Sequence, residues 1–133
     1  MIEEGRALFL QIAESVEDSI VDGSLAEEGR APSTNELAAF YRINPATAAK
    51  GIAMLVDKGV IYKRRGIGMF VAEGARAQLL TERRSAFADR FVEPLLAEAR
   101  KLDLSAEDLA ALIRDRAVAT DTTADPTKEG SRL

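Results

Sequence analysis

The chain has 133 residues, with 18 Lys and Arg against 22 Asp and Glu and no His, Cys or Trp, so its formal net charge is −4 at pH 7. Those zeros exclude an imidazole base, a thiol nucleophile, a disulfide and any metal centre built on thiolates or imidazoles. The length and the 47% apolar fraction suit one soluble domain, or a small domain with an appendage. No apolar run is longer than five residues, as at 52–56 and 109–113, against the roughly 20 needed to cross a bilayer. Glu3 and Glu4 stand where a secretion signal carries positive charge. No membrane partner and a cytoplasmic location are therefore expected.

Leu8, Ile12, Val16 and Ile20 recur every four residues and predict one apolar stripe on a first helix that ends at Asp22-Gly23-Ser24. Ser33 followed three residues later by Glu36 is a capping-box pattern, and it predicts a short second helix over Thr34–Tyr41 that buries Leu37 and either Phe40 or Tyr41. Asn44-Pro45 then supplies a cap and a first helical residue with no N–H to satisfy, so a third helix is expected over Pro45–Lys58, stopped by Gly59. Two short helices joined this tightly read as a helix-turn-helix. Val60-Ile61-Tyr62, the glycine-rich Arg65-Gly66-Ile67-Gly68 and Met69-Phe70-Val71 read as a β-hairpin whose tip carries Lys63, Arg64 and Arg65.

From about Gly74 the pattern is helical again, with Leu80, Phe87, Phe91, Leu95 and Leu102 on one stripe and Pro94 marking a kink or break. Ser105 with Asp108 caps a last helix ending near residue 118. The expected fold is mostly α with a small β-hairpin: a winged helix-turn-helix over residues 1–72, a C-terminal helical dimerisation segment over 73–118, and a disordered tail over 119–133.

The charge is unevenly spread. Residues 1–29 carry −7, residues 30–70 carry +5 and residues 71–133 carry −2. A basic island thus coincides with the helix-turn-helix and hairpin, where a helix can enter the major groove and a basic wing can lie on phosphates. Asn44, Ala46, Thr47 and Lys50 fall at the start of the third helix, the end that reaches base edges. Asn44 is also a helix cap, and Lys50 can equally be a solvated surface lysine. Backbone N–H groups at this helix start are a further candidate phosphate site. Three adjacent bases at a glycine hairpin repel one another and serve no folding purpose, which points to an anionic ligand.

Residues 31–38 (Ala-Pro-Ser-Thr-Asn-Glu-Leu-Ala), 43–48 (Ile-Asn-Pro-Ala-Thr-Ala), 59–62 (Gly-Val-Ile-Tyr) and 64–71 (Arg-Arg-Gly-Ile-Gly-Met-Phe-Val) resemble the DNA-binding domain of the GntR family of bacterial transcription regulators. Residues 8–12 (Leu-Phe-Leu-Gln-Ile) are similar to that family's opening helix. The Asn-Pro start and short extension resemble its YtrA subfamily. This resemblance implies a homodimeric repressor of double-stranded DNA. It also implies phosphate or base contacts from Ser33, Asn44, Thr47, Arg64 and Arg65, with Gly66 and Gly68 shaping a wing tip for the minor groove. Asn35 occupies a contact position where many relatives carry Arg.

Two C-terminal helices cannot enclose a metabolite, and no effector can be named from them. Their apolar stripe must still be covered, by a second chain or by folding back on the chain's own winged helix, and Leu80, Phe87, Phe91, Leu95 and Leu102 are the expected dimerisation residues. A symmetric dimer matches two inverted half-sites. Winged helices also serve as protein-docking modules, but such a module needs neither the basic hairpin nor the Asn-Pro-x-Thr start. No cofactor, metal site or catalytic constellation is expected.

Overall fold

A computed structural model describes residues 7–124. Among them run α1 (Leu8–Val21), α2 (Thr34–Tyr41), α3 (Pro45–Lys58), β1 (Ile61–Arg64), β2 (Gly68–Val71), α4 (Ala75–Phe87), α5 (Glu93–Lys101) and α6 (Ala106–Ala124). The chain divides into two compact units between Arg84 and Ser85.

In the first unit, Ile12, Val16 and Ile20 of α1 are buried together with Ala48, Ile52 and Leu55 of α3. Leu8, the first residue of the expected stripe, remains 36% exposed at the helix start. On α2, Leu37 and Ala38 are buried. Tyr41 takes the inner position because its hydroxyl reaches Ser15 Oγ of α1 at 2.5 Å, and Phe40, packed edge-on against it, stays 78% exposed.

The hairpin pairs Ile61 with Val71 on the core side and Tyr62 with Phe70 on the outer side. Pairing continues through Lys63 with Met69 and Arg64 with Gly68. Lys63 and Arg64 therefore belong to β1 and not to the tip, and only Arg65 remains in the turn with Gly66 and Ile67. A strip unseen in the sequence runs along the free edge of β2. Glu28 N–H donates to Val71 O (2.8 Å), Val71 N–H to Gly29 O (2.9 Å) and Ala31 N–H to Met69 O (2.8 Å), with Arg30 opposite Phe70.

The first unit extends past residue 72, where the sequence suggested a boundary, because α4 begins as part of the core. Ala75 and Leu79 are at most 1% exposed, and full burial of a leucine is worth roughly 1.5–3 kcal/mol. Polar contacts fix both ends of the same helix. Glu27 accepts the N–H groups of Gly74 (3.0 Å) and Arg76 (3.1 Å), capping the helix from a distant loop. Lys58 at the end of α3 bridges Glu17 (2.6 Å) and Glu82 (2.5 Å), while Arg83 meets Asp18 at 2.7 Å. Burial alone would lower the Lys58 ammonium, but the two carboxylates outweigh it and hold its pKa above the usual lysine value.

In the second unit the interruption expected at Pro94 lies just before it. Residues Ala88–Val92 form a π-helical turn, and α5 opens with Glu93 and Pro94. Proline has no N–H to give the preceding turn and its ring clashes with the carbonyl four residues back, so the helix widens there and restarts with proline in its first turn. Ser105 and Asp108 exchange backbone N–H bonds at 3.0 Å each, the reciprocal cap that starts α6. That helix runs to Ala124, beyond the end expected near residue 118, so the first part of the expected tail is helical. Residues 125–133 of that tail lie outside the described residues.

Glu27 gives the fold a pH signature. The N–H groups of Gly74 and Arg76 hold its carboxyl below the ordinary glutamate value of 4.5. A lowered folded-state pKa contributes stability that is complete above the unfolded value and is lost as pH falls through the folded value. Glu27→Gln is therefore expected to lower the melting temperature at neutral pH and to flatten the fall in stability on acidification below about pH 4.5. An acid limb identical to wild type in thermal melts across that range would contradict this role.

Candidate nucleic-acid interface

The candidate surface is assembled from three places: the start of α2, the turn leading into α3 with its first residues, and the hairpin. At the first, Ser33 Oγ accepts Glu36 N–H at 3.0 Å while Glu36 Oε1 accepts Ser33 N–H at 2.8 Å. Ser33 amide and hydroxyl together hold the Glu36 carboxyl below its ordinary range. Ser33 is half-buried by this arrangement, and Asn35, in the first turn of α2, is exposed.

Between α2 and α3 the chain reverses at Arg42, whose backbone is left-handed (φ 56°, ψ 51°). That conformation costs a non-glycine residue roughly 1–2 kcal/mol. It allows Arg42 and Ile43 both to donate to Ala38 O, which tucks Ile43 against the core and sets the crossing of the two helices. Asn44 then caps α3, its Oδ1 accepting Ala46 N–H at 2.8 Å.

The amides at this helix start are not available for a phosphate as expected. Ala46 N–H is taken by Asn44 Oδ1, Thr47 and Ala48 donate to Asn44 O (2.9 and 3.3 Å), and Pro45 has none. Anion attraction here falls to side chains and the helix dipole. Asn44 retains its amide NH₂ donors, Ala46 is exposed and Thr47 is half-buried. Lys50, exposed one turn along from Thr47, places its ammonium 4.0 Å from the centroid of the Phe9 ring on α1. At about 0.5–1 kcal/mol for an exposed site, this cation–π contact competes weakly with a phosphate.

On the hairpin, the Arg64 guanidinium sits over the Phe70 ring at 4.9 Å, and Arg65 is exposed beside it. Gly66 (φ 75°) and Gly68 (φ 145°) both occupy backbone conformations that other residues rarely adopt, and Ile67 N–H donates to Arg64 O at 2.9 Å to close the turn. Ile67, 59% exposed at the tip, was not among the residues singled out from sequence. Neither was Arg30, which the edge strip brings against Gly68. Its signal was only its membership of the basic island. Among the described residues no helix is long and apolar enough to cross a membrane.

The expected dimerisation residues fall into two groups. Leu80 is half-buried and belongs to the first unit. Phe87, Phe91, Leu95 and Leu102 are 41–63% exposed in the second, with the Phe87 and Phe91 rings 5.3 Å apart. Leu112 and Ile113 of α6 are also exposed and extend the apolar set.

This arrangement is shared with known proteins. The sequence pattern of the family described as bacterial regulatory proteins, gntR family, matches residues 8–71. A crystal structure of a transcriptional regulator of the GntR family from Bacteroides thetaiotaomicron superimposes with a TM-score of 0.71 at 32% identity, over 86% of this chain and 99% of that one. The HTH-type transcriptional regulator YhcF of Bacillus subtilis is 25% identical over 80% of this chain and 87% of its own length. The HTH-type transcriptional repressor YtrA, also of Bacillus subtilis, is 29% identical over 55% of this chain and 56% of its own. Together with the helix-turn-helix and its glycine-tipped wing, these matches show that the chain belongs to the GntR family of bacterial regulatory proteins.

Proposed function

We propose that two copies of this DNA-binding transcriptional regulator pair through their C-terminal helices and repress transcription from an inverted-repeat operator. On this reading each copy inserts the start of α3 into the major groove, where Thr47 and Ala46 meet base edges, and Asn44 donates from its NH₂ group. Thr47 offers both a hydroxyl and a methyl, the latter suited to thymine. Ser33, Asn35 and Lys50 flank that groove at the backbone. Arg64 and Arg65 hold phosphates while Gly66 and Gly68 let the wing approach the minor groove closely. Bound protein then excludes polymerase from the promoter. Such a regulator works in the cytoplasm, beside the chromosome.

The observation that carries the dimer is the exposed apolar set on the second unit. Phe87, Phe91, Leu95 and Leu102 are joined by Leu112 and Ile113 in a unit whose buried residues, among the described ones, are only Ala99 and Leu109. So small a core leaves an apolar surface that a second copy can cover. The short extension, the Asn-Pro start of α3 and the likeness to YtrA support a place in the YtrA-like subfamily.

Two measurements test these assignments. In mobility-shift titrations, Arg64→Ala and Arg65→Ala are expected to weaken binding to all duplexes by similar factors and to lower the salt slope by about one each, whereas Thr47→Ala changes the ranking of sequences. Wing variants that bind like wild type at every salt concentration would remove the wing from the interface. In sedimentation experiments, Phe91→Glu is expected to convert the dimer to a monomer and to weaken binding to paired half-sites at least tenfold, leaving a single half-site unaffected. A Phe91→Glu chain that stays dimeric would overturn the proposed interface.

A further inference from the structure

The edge strip of residues 28–31 brings to the wing a cation that belongs to neither the helix-turn-helix nor the hairpin. Arg30 lies opposite Phe70 across the free edge of β2, and Phe70 lies opposite Tyr62 across the other. Directly opposed residues in antiparallel strands share a face, and so do residues two apart along one strand. Arg30, Tyr62, Arg64, Gly68 and Phe70 therefore share the outer face of the sheet, the face away from buried Ile61 and Val71.

Within that face Gly68 is the gap. A Cβ built there would lie 3.3 Å from Arg30 Nε and 3.5 Å from its Nη2, so the guanidinium occupies the space a side chain would fill. Arg64 is the cross-strand partner of the same glycine. Two guanidinium groups thus lie on one face of the wing, Arg30 against Gly68 and Arg64 over the Phe70 ring, and the Glu28 carboxylate two residues before Arg30 is engaged by the Tyr62 hydroxyl. Arg30 is exposed, and among the described residues it makes no ion pair. The nearby Glu36 carboxylate is engaged by Ser33 N–H at 2.8 Å. Arg30 also stands three residues ahead of Ser33, the cap of α2, so one side chain links the start of that helix to the wing.

We propose that Arg30 is a further DNA-contact residue, seated over Gly68 to bind a backbone phosphate between the start of α2 and the wing. Gly68 then serves two purposes: it permits the turn, and it leaves room for this arginine. A guanidinium held flat against the sheet presents its remaining N–H donors in a fork suited to phosphate oxygens. The contact carries no sequence information, so it strengthens binding to every duplex alike.

This inference rests on the DNA-binding reading and is tested with the full chain by fluorescence anisotropy on a short mixed-sequence duplex over a range of salt. Arg30→Gln is expected to weaken binding by roughly tenfold at low salt and to lower the slope of log K against log salt by about 0.9, one phosphate's worth. Arg30→Lys, which keeps the charge, is expected to retain the wild-type slope, and both variants to melt at the wild-type temperature. Arg30→Gln binding with unchanged affinity and slope would overturn the proposal. So would loss of the wild-type slope in Arg30→Lys at unchanged melting temperature, since the effect would then not follow the charge. A wild-type chain that binds no duplex would instead overturn the functional reading itself.

Discussion

The placement of the helix-turn-helix depends on how closely α3 lies against α1. Gly51 makes that approach possible: a Cβ at this position would sit 2.9 Å from the carbonyl oxygen of Phe9 and 3.4 Å from the side chain of Ile12. With hydrogen in its place, Ala48, Ile52 and Leu55 of α3 mesh with the Ile12, Val16 and Ile20 row of α1 into one dense core. The start of α3 is then fixed in space, and with it Asn44, Ala46 and Thr47. Because packed cores resist small displacements, any larger residue at Gly51 would move the residues proposed to read the groove.

The same core determines where the chain goes next. Val60, Ile61 and Val71 join it from the hairpin, and Ala75 and Leu79 from α4, so wing and exit helix are referenced to the same frame as α3. The ionic contacts of Lys58 and Arg83 with α1 and α4, and the Glu27 cap on α4, lie on the periphery of that frame. They fix both ends of α4 against the rest of the first unit.

Much of this was legible in the sequence because it is written in local chemistry. The capping boxes at Ser33 and Ser105, the Asn44-Pro45 start and the four-residue spacing of α1 each specify a helix end or face within a few residues, and the structure bears them out. What was not legible depends on distant partners. The strip of residues 28–31 has no alternation of apolar and polar residues; it is held by backbone bonds to β2, so Arg30 looked like one more surface charge. The amides at the start of α3 seemed open until their acceptors, Asn44 Oδ1 and Asn44 O, could be seen. Likewise the choice between Phe40 and Tyr41 turned on Ser15, 26 residues from Tyr41. The net charge of −4 concealed a +5 segment for a related reason: an average over the chain carries no information about which residues fold together.

We propose that this family member reads DNA as a symmetric pair, each copy supplying one helix and one wing. Selection of fragments bound by the full chain from random-sequence duplex DNA tests it most directly, since motif, symmetry and spacing emerge together. Enrichment of an inverted repeat with half-site centres about 10 bp, or a multiple of that, apart is expected. Enrichment of a single asymmetric site, or none above the starting pool, would contradict it.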